Sequence, residues 1–514
     1  MTLLCFGNPP VDPSTQKALS LPIVNPISRH GRIFFFAWLS FLLSFLSWYA
    51  MPPLLSQTIK ADLNLTDAEV QNSNIIAGVA SLLVRLIAGP LCDRFGPRYV
   101  LVGTLWLSAI PCGAAGTAQN AMGLYFVRFF MGIAGAAFVP CQVLMAAWFD
   151  KKVIGTASAF AAGWGDAGVG VTFFVMPAVF NSFGSAHDHP ERVAWRLSFL
   201  VPCILLLACG AAVLFLNDDT PTGPWSTREL HQPRRGSTEP LNSVNSSVTV
   251  FDRPVRPSPV ATKASNQVDL EKAQGTAVEV SRRGSDATAF STAPLPPKQS
   301  FGSQLKDLAC LPTFLLAASY FSTFGTALVV NSLLVTWYTE KFSWDQNTAG
   351  NWTALFGLLN LVARPFGGIM GDVYYRHFGE RRGLLAKKFW IAILCSLGGV
   401  LALLVGLLDL DAPASLIGLI SVLAIFIEAG NGATYALLPH VNSHINGLMG
   451  GVVGGSGNLG GIVFSTIARF SSIPKTIWVV GVVGIAVGGM IALIHPIPRN
   501  KRTLYETNTV NTVS

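Results

Sequence analysis

The sequence predicts an all-α membrane protein, with twelve transmembrane helices in two pseudo-symmetric six-helix bundles. Three observations carry that expectation. The first is composition: of 514 residues, 51% are hydrophobic and only 12% are charged, and the mean hydropathy is +0.48. A soluble domain carries about 25% charged residues, so most of this chain cannot face water. The second is a series of twelve apolar segments, each long enough to cross about 30 Å of hydrocarbon. The third is an internal repeat between the first six segments and the last six. The same composition excludes a disordered or collagenous chain. A net charge of +8 reads as cytoplasmic loop charge and not as a nucleic-acid surface. Eight scattered cysteines without a Cys-x-x-Cys pair argue against a zinc site or a disulfide framework, and no cofactor is implied.

Residues 1–31 read as a cytoplasmic tail ending in Arg29 and Arg32. No short apolar core with a small-residue cleavage site precedes the run that starts near Phe34, so that run reads as a retained helix. The first bundle, 32–218, holds segments centred near residues 43, 81, 107, 133, 167 and 204. Residues 219–307 are rich in Pro, Ser, Thr and Gly and lack long apolar runs, so a disordered cytoplasmic loop is expected. The second bundle, 308–497, has centres near 323, 359, 396, 424, 458 and 486, and 498–514 form a C-terminal tail. Orientation follows from the basic residues. Arg94, Arg98, Lys151, Lys152, Arg376, Arg381, Arg382, Lys387, Lys388, Arg499, Lys501 and Arg502 cluster on one side, opposite Asp62, Asp67, Glu69, Asp409 and Asp411. Both termini and the central loop are therefore expected in the cytoplasm.

The repeat can be read residue by residue. The second segment holds Arg85-x3-Gly89-x3-Asp93 and the eighth holds Arg364-x3-Gly368-x3-Asp372. The fifth holds Gly163-Trp-Gly165-Asp166-Ala-Gly168 and the eleventh Gly455-Ser-Gly457-Asn458-Leu-Gly460. Transporters of repeated build place substrate near the midplane, between the halves. Arg85 lies eight residues before Asp93, about 12 Å into the membrane at 1.5 Å per residue, and Arg364 is equally deep. One such arginine reads as snorkelling or as a structural ion pair; two at equivalent repeat positions favour function. Two converging guanidiniums make a receptor for a planar oxyanion. The glycines of 163–170 and 450–461 read first as close helix packing and second as backbone open to a small ligand. The Asn458 amide can donate to an anion. An ionised Asp166 cannot, and it repels the anion unless it is protonated or paired with an arginine. Glu428, the other acid in an apolar run, reads as a proton site or an arginine partner. Phe45, Phe138, Tyr320 and Phe324 recur on the same helices, where core packing is the default for aromatic rings.

The run Asp93-Arg94-Phe-Gly96-Pro-Arg98, with Gly89 before it, resembles the gating-loop motif of the major facilitator superfamily, Gly-x3-Asp-Arg-x-Gly-x-Arg. The resemblance implies a cytoplasmic latch made by charge pairing, with a degenerate copy at Gly368–Asp372. Arg128-x3-Gly132 resembles a second motif of that superfamily; its arginine reads as structural in preference to a tuner of proton coupling. Across nearly all of residues 32–496 the chain resembles the nitrate/nitrite porters, with the layout of the fungal-type high-affinity nitrate transporters. The resemblance rests on VRLIAGPLCDRFGPR, RFFMGIAGAAFVPCQ, AAGWGDAGVGVTFF, ARPFGGIMGD, GNGATYALLPHV and GGVVGGSGNLGGIVF. It implies the major facilitator fold. It also implies that Arg85 and Arg364 hold the anion, that Tyr320 donates a hydrogen bond to it, that Phe45, Phe138 and Phe324 flank it, and that Asn458 belongs to the second signature. Asp166 departs from the pattern, which has Asn there; it is then neutral, or paired with an arginine between transport steps.

The implied activity is not enzymatic. It is secondary active import of nitrate, and of nitrite, across the plasma membrane by proton symport with alternating access. An inside-negative membrane opposes anion uptake by about 2.3 kcal/mol per 100 mV, so more than one proton must accompany each ion. Asp166 and Glu428 are the candidate carriers. A nitrate/nitrite exchanger and a nitrate-binding sensor signalling through the central loop are the rival readings. No Gly-x4-Gly-Lys-Ser/Thr loop is present to power an ATP-driven pump. In the central loop, Arg234-Arg235-Gly-Ser237 and Arg282-Arg283-Gly-Ser285 fit basophilic protein kinases, or are chance basic residues of a disordered linker. The orientation has a direct check: protease added to intact cells should leave 219–307 uncut, and cleavage there from outside overturns the assignment.

Overall fold

The computed structural model describes residues 3–186, 190–226, 301–408, 410–441 and 445–494. Ser237 and Ser285, most of the expected central loop, Asp409, and the tail residues Arg499, Lys501 and Arg502 lie outside the described residues. Among the described residues, eleven helical stretches are long and apolar enough to cross a membrane. The first seven are α1 (Arg29–Leu54), α2 (Asp67–Phe95), α3 (Pro97–Thr117), α4 (Ala121–Trp148), α5 (Ile154–Gly184), α6 (Glu191–Leu216) and α7 (Leu311–Phe342). The next, Gln346–Leu407, has 62 residues. Straight, it would be about 93 Å long, three times the hydrocarbon thickness. It is broken at Gly379 (φ 73°, ψ −178°), a backbone conformation that a β-carbon would strain. The basic residues Arg376, Arg381 and Arg382 flank the break. It is therefore two spans, α8 (346–378) and α9 (380–407). With α10 (Pro413–Val441), α11 (Asn446–Phe470) and α12 (Ile473–Leu493) the described residues hold twelve helices of membrane-spanning character, as expected.

Local signals set the helix starts. A capping box joins Thr66 and Glu69 at α2, Asn120 caps α4, and Pro97 and Pro312 open α3 and α7. Packing then repeats between the halves. The first half pairs α1 with α5, α3 with α6 and α2 with α4; the second pairs α7 with α11, α9 with α12 and α8 with α10. The two halves meet along α2·α11 and α5·α8. In lipid there is no hydrophobic drive between helices, so close backbone contact supplies the attraction. A β-carbon on Gly447 would lie 2.5 Å from the Gly89 carbonyl, and one on Gly368 would lie 2.5 Å from the Gly155 carbonyl.

Twelve such helices return the chain to the face from which α1 starts, and on that terminus face the halves are latched at two equivalent places. The Asp93 carboxylate accepts the amides of Gly447 (3.2 Å) and Leu448 (2.9 Å) at the start of α11. The Asp372 carboxylate accepts the amide (2.6 Å) and hydroxyl (2.9 Å) of Thr156 at the start of α5, and Lys387 donates to it at 2.9 Å. This corrects the expected latch in kind. The motif's arginines do not bridge the halves: Arg94 is exposed over Phe95, and Arg98 pairs with Asp219 of its own half at 3.2 Å. A carboxylate against the orphan amides of a helix start meets the positive end of the helix dipole. The second copy, degenerate in sequence, caps its helix as the first does.

Two segments expected to be loose are held on this face. Ala18 exchanges backbone hydrogen bonds with Trp148 and Asp150, and Ala18 and Leu21 are fully buried. After α6, Asp218 pairs with Arg29 at 2.8 Å, and the Trp225 indole donates to the Asp93 carbonyl at 3.0 Å while packing on Gly96 (φ 94°). At the other end of the expected loop, Phe301–Leu308 is helical. Basic residues at helix starts thus recruit the chain that follows α6.

The glycine contacts generate a prediction. Gly89→Val and Gly368→Val overpack the crossings, a cost of about 1–3 kcal/mol, enough to raise an open population roughly tenfold. A thiol reagent should then alkylate Thr156→Cys from the terminus face about tenfold faster in either background. An unchanged rate in both would show that these contacts do not hold the face shut.

Candidate anion-binding site

Arg85 and Arg364 are both 0% exposed, although Leu83, Leu86 and Ile87 beside Arg85 face outward. Snorkelling is thereby excluded for Arg85. Its Nε donates to the Gly135 carbonyl at 2.8 Å, where α4 tightens into a 3-10 stretch over Gly132–Ala137, and its Nη1 donates to the Gly454 carbonyl of α11 at 2.9 Å. Its Nη2 makes no hydrogen bond to the protein. Arg364 donates from Nη2 to the Tyr320 hydroxyl at 2.9 Å, and its Nη1 forms an ion pair with Asp166.

Both guanidiniums stand over the ring of Phe138, at 5.2 Å for Arg85 and 5.4 Å for Arg364. They are therefore no more than about 11 Å apart, and at an effective dielectric of 20 they repel by at least about 1.5 kcal/mol. Arg85 also lies 5.0 Å over Phe324. Phe138, Tyr320 and Phe324 form a near-parallel stack, with centroids 6.0 and 4.9 Å apart and interplanar angles of 11° and 6°. The Tyr320 hydroxyl adjoins Arg85 as well as Arg364. One arginine from each half thus converges on a shared aromatic stack and a shared hydroxyl.

Asp166, at the end of the first segment of α5, is the carboxylate that answers this charge directly. Glu428 of α10 is buried, accepts from Asn431 at 2.9 Å and adjoins Asn360; it makes no ion pair with Arg364. Thr323 donates to the Asn431 oxygen at 2.7 Å, so the carboxylate ends a hydrogen-bonded chain from α7.

The other expected ligands stand further off. Asn458 donates to the Ser81 hydroxyl at 2.9 Å, and its Oδ1 is unpartnered; it sits one turn beyond the Gly454 that holds Arg85. Phe45 packs on Phe41 (4.4 Å) and Trp48 (5.3 Å), and it is Phe41 that meets Phe138, at 5.3 Å. Phe45 is one ring removed from the stack. The gating residues Gly89, Asp93, Arg94, Gly96 and Arg98 are on the terminus face. Tyr435 was not singled out from the sequence. It lies edge-on to Phe138 (4.6 Å) and Tyr320 (5.0 Å) and donates to the Gly450 carbonyl at 3.1 Å. Its signal was an aromatic ring inside the polar, glycine-bearing run GNGATYALLPHV.

A two-half helical fold with buried cations at its centre defines a secondary transporter. The sequence profile of the Major Facilitator Superfamily matches residues 37–291. Elsinochrome transporter 1 of Elsinoe fawcettii is 30% identical, over 97% of this chain and 100% of its own length. High affinity nitrate transporter 2.7 of Arabidopsis thaliana is 28% identical over 88% of this chain and 80% of its own. Nitrate/nitrite transporter NrtP of Nostoc punctiforme is 27% identical over 92% and 93%. The chain belongs to the major facilitator superfamily, in the nitrate/nitrite porter family. It is a multi-pass membrane transporter and not an enzyme.

The shared stack predicts non-additive mutants. Arg85→Lys and Arg364→Lys keep the charge but lose the planar fork, and should weaken nitrate binding. Arg85→Gln and Arg364→Gln should each cost about 2–5 kcal/mol, as for truncating a buried hydrogen-bonded charge pair. Isotope binding to purified protein should show nearly the same loss in each single variant and in the double variant. Near-normal binding in either single variant removes that arginine from the site.

Proposed function

We propose that the chain imports nitrate, and nitrite as a second substrate, across the plasma membrane by proton symport, with the terminus face in the cytoplasm. The observation that carries this reading is the pair of guanidiniums, one per half, on one aromatic stack, with a single carboxylate paired to one of them. A planar monovalent oxyanion matches the two donor forks and lies flat against the rings. Three nitrate transporters or more among the relatives support the same substrate.

The Asp166–Arg364 ion pair supplies a coupling device. Carboxylate and nitrate compete for the same edge of one guanidinium. Protonating Asp166 removes the competitor, so proton and anion occupy the two sides of one broken ion pair. The anion then relieves the repulsion between Arg85 and Arg364, and the halves close over it. Release on the other side lets Asp166 lose its proton and reclaim Arg364. Glu428, beside Asn360 and Asn431, is the candidate for a second proton, which the membrane potential demands of a monovalent anion importer.

Purified protein in liposomes, with pH and voltage imposed separately, tests this. Where proton and anion binding are fully linked, apparent affinity falls about tenfold per pH unit. Asp166→Asn should keep nitrate binding and flatten that dependence. An unaltered pH profile in Asp166→Asn means that the residue carries no proton. Counterflow with no response to a proton gradient, in the parent, establishes an exchanger instead.

A further inference from the structure

Outside the central site, a third buried guanidinium is unaccounted for. Arg128 of α4 is 3% exposed. It donates from Nη1 to the Trp48 carbonyl at 3.3 Å and from Nη2 to Asn74, and its Nε has no partner. Both acceptors are neutral. Among the described residues no carboxylate pairs with it, in contrast to Arg364. A charge at this depth without a counter-ion is expensive, and intramembrane charges otherwise face one another or a water-filled cavity.

Arg128 lines a partly open cleft. This small cleft, of about 50 Å³, lies between the halves, walled by Trp48, Tyr49, Asn74, Arg128, Ser332 and Asn458. It is away from the terminus face: Asn74 is seven residues from the start of α2, whereas Asp93 is near its end. Its geometry relative to the central site follows from the helices. Arg128 precedes by seven residues the Gly135 whose carbonyl holds Arg85, about 10–14 Å along α4. Asn458 follows by four residues the Gly454 that also holds Arg85, about 6 Å along α11. The Asn458 amide, which donates to Ser81 at 2.9 Å, stands at that level with a second N–H in reserve. Cation, amide and cation are thus staged from the cleft to the centre.

We propose that Arg128, beside Asn458, forms a second binding station for the same small oxyanion, which displaces Asn74 and is captured from the cleft before it reaches Arg85 and Arg364. The proposal rests on the reading of the central pair as the transport site. The ion supplies the counter-charge that Arg128 lacks, exchanging with the Asn74 side-chain oxygen for the guanidinium. Its affinity is the lower of the two, because one guanidinium holds it and the cleft stays hydrated. A buried cation beside an open cleft also raises the local anion concentration and the rate of capture.

The test is equilibrium binding of labelled nitrate to the purified full chain, alongside initial uptake rates in liposomes. The parent should bind two ions, one tightly and one weakly. The variant carrying both Arg85→Gln and Arg364→Gln should keep only the weak one, and adding Arg128→Gln should abolish it. In the otherwise native chain, Arg128→Gln should raise KM about tenfold with kcat within about twofold, and Arg128→Lys should restore most of KM. Asn74→Ala, which frees the guanidinium but leaves its charge, should tighten the weak site about two- to fivefold. A purely structural tie between α1, α2 and α4 predicts the opposite: lower thermal stability, and no gain in weak-site affinity with Asn74→Ala. Absence of weak binding in the Arg85/Arg364 double variant, or weak binding that Arg128→Gln leaves intact, overturns the proposal. Absence of the tight ion in the parent instead overturns the reading of the central pair and is seen separately.

Discussion

Taking a guanidinium out of water costs several kcal/mol unless its donors are bonded and its charge is answered. Arg85 and Arg364 are both fully buried, both over Phe138, and Asp166 is the carboxylate that pairs with Arg364 directly. The surrounding structure is arranged to bear that charge. The Gly135 and Gly454 carbonyls take two donors of Arg85, the Tyr320 hydroxyl takes one of Arg364, and aromatic faces cover both cations. One donor, Nη2 of Arg85, stays without a partner in the protein.

The same helices carry the latch. α2 bonds α11 at the centre, through Arg85 and Gly454, and again on the terminus face, through Asp93 and the amides of Gly447 and Leu448. α8 bonds α5 at the centre, through Arg364 and Asp166, and again on the terminus face, through Asp372 and Thr156. In each pair the two contacts lie on one helix about 12 Å apart. Site and latch are thus joined by one continuous helical segment in each pair. No separate chain of side chains is needed to link site and gate.

The fold was legible because lipid leaves few options: apolar length, basic loops and the Arg-x3-Gly-x3-Asp repeat gave twelve crossings in two halves. The paired arginines were legible for the same reason, since charge at that depth in two equivalent places demands an explanation. Other features were not. Asp93 and Asp372 were read through the arginines that follow Asp93, but their partners across the halves include main-chain amides, which every sequence contains and none advertises. Phe45 and Phe41 lie one helical turn apart on α1, and only the crossing with α4 decides which ring meets Phe138. Tyr435 was hidden by the general excess of aromatic residues. The stretch after α6 looked like loop because its order comes from Arg29, Arg98 and Gly96, remote in sequence.

The amide caps also shape how such a protein can drift over generations. At each latch the acceptor is a single aspartate, while the donors at the starts of α11 and α5 include peptide N–H groups that any residue but proline supplies. Substitution tolerance is therefore lopsided: strict at two carboxylates and at the glycines that let the backbones touch, lenient at Leu448, whose contribution is its main chain. Copies of this gate can diverge in nearly all their side chains and still close, which explains how the second copy lost the loop pattern of the first and kept its work.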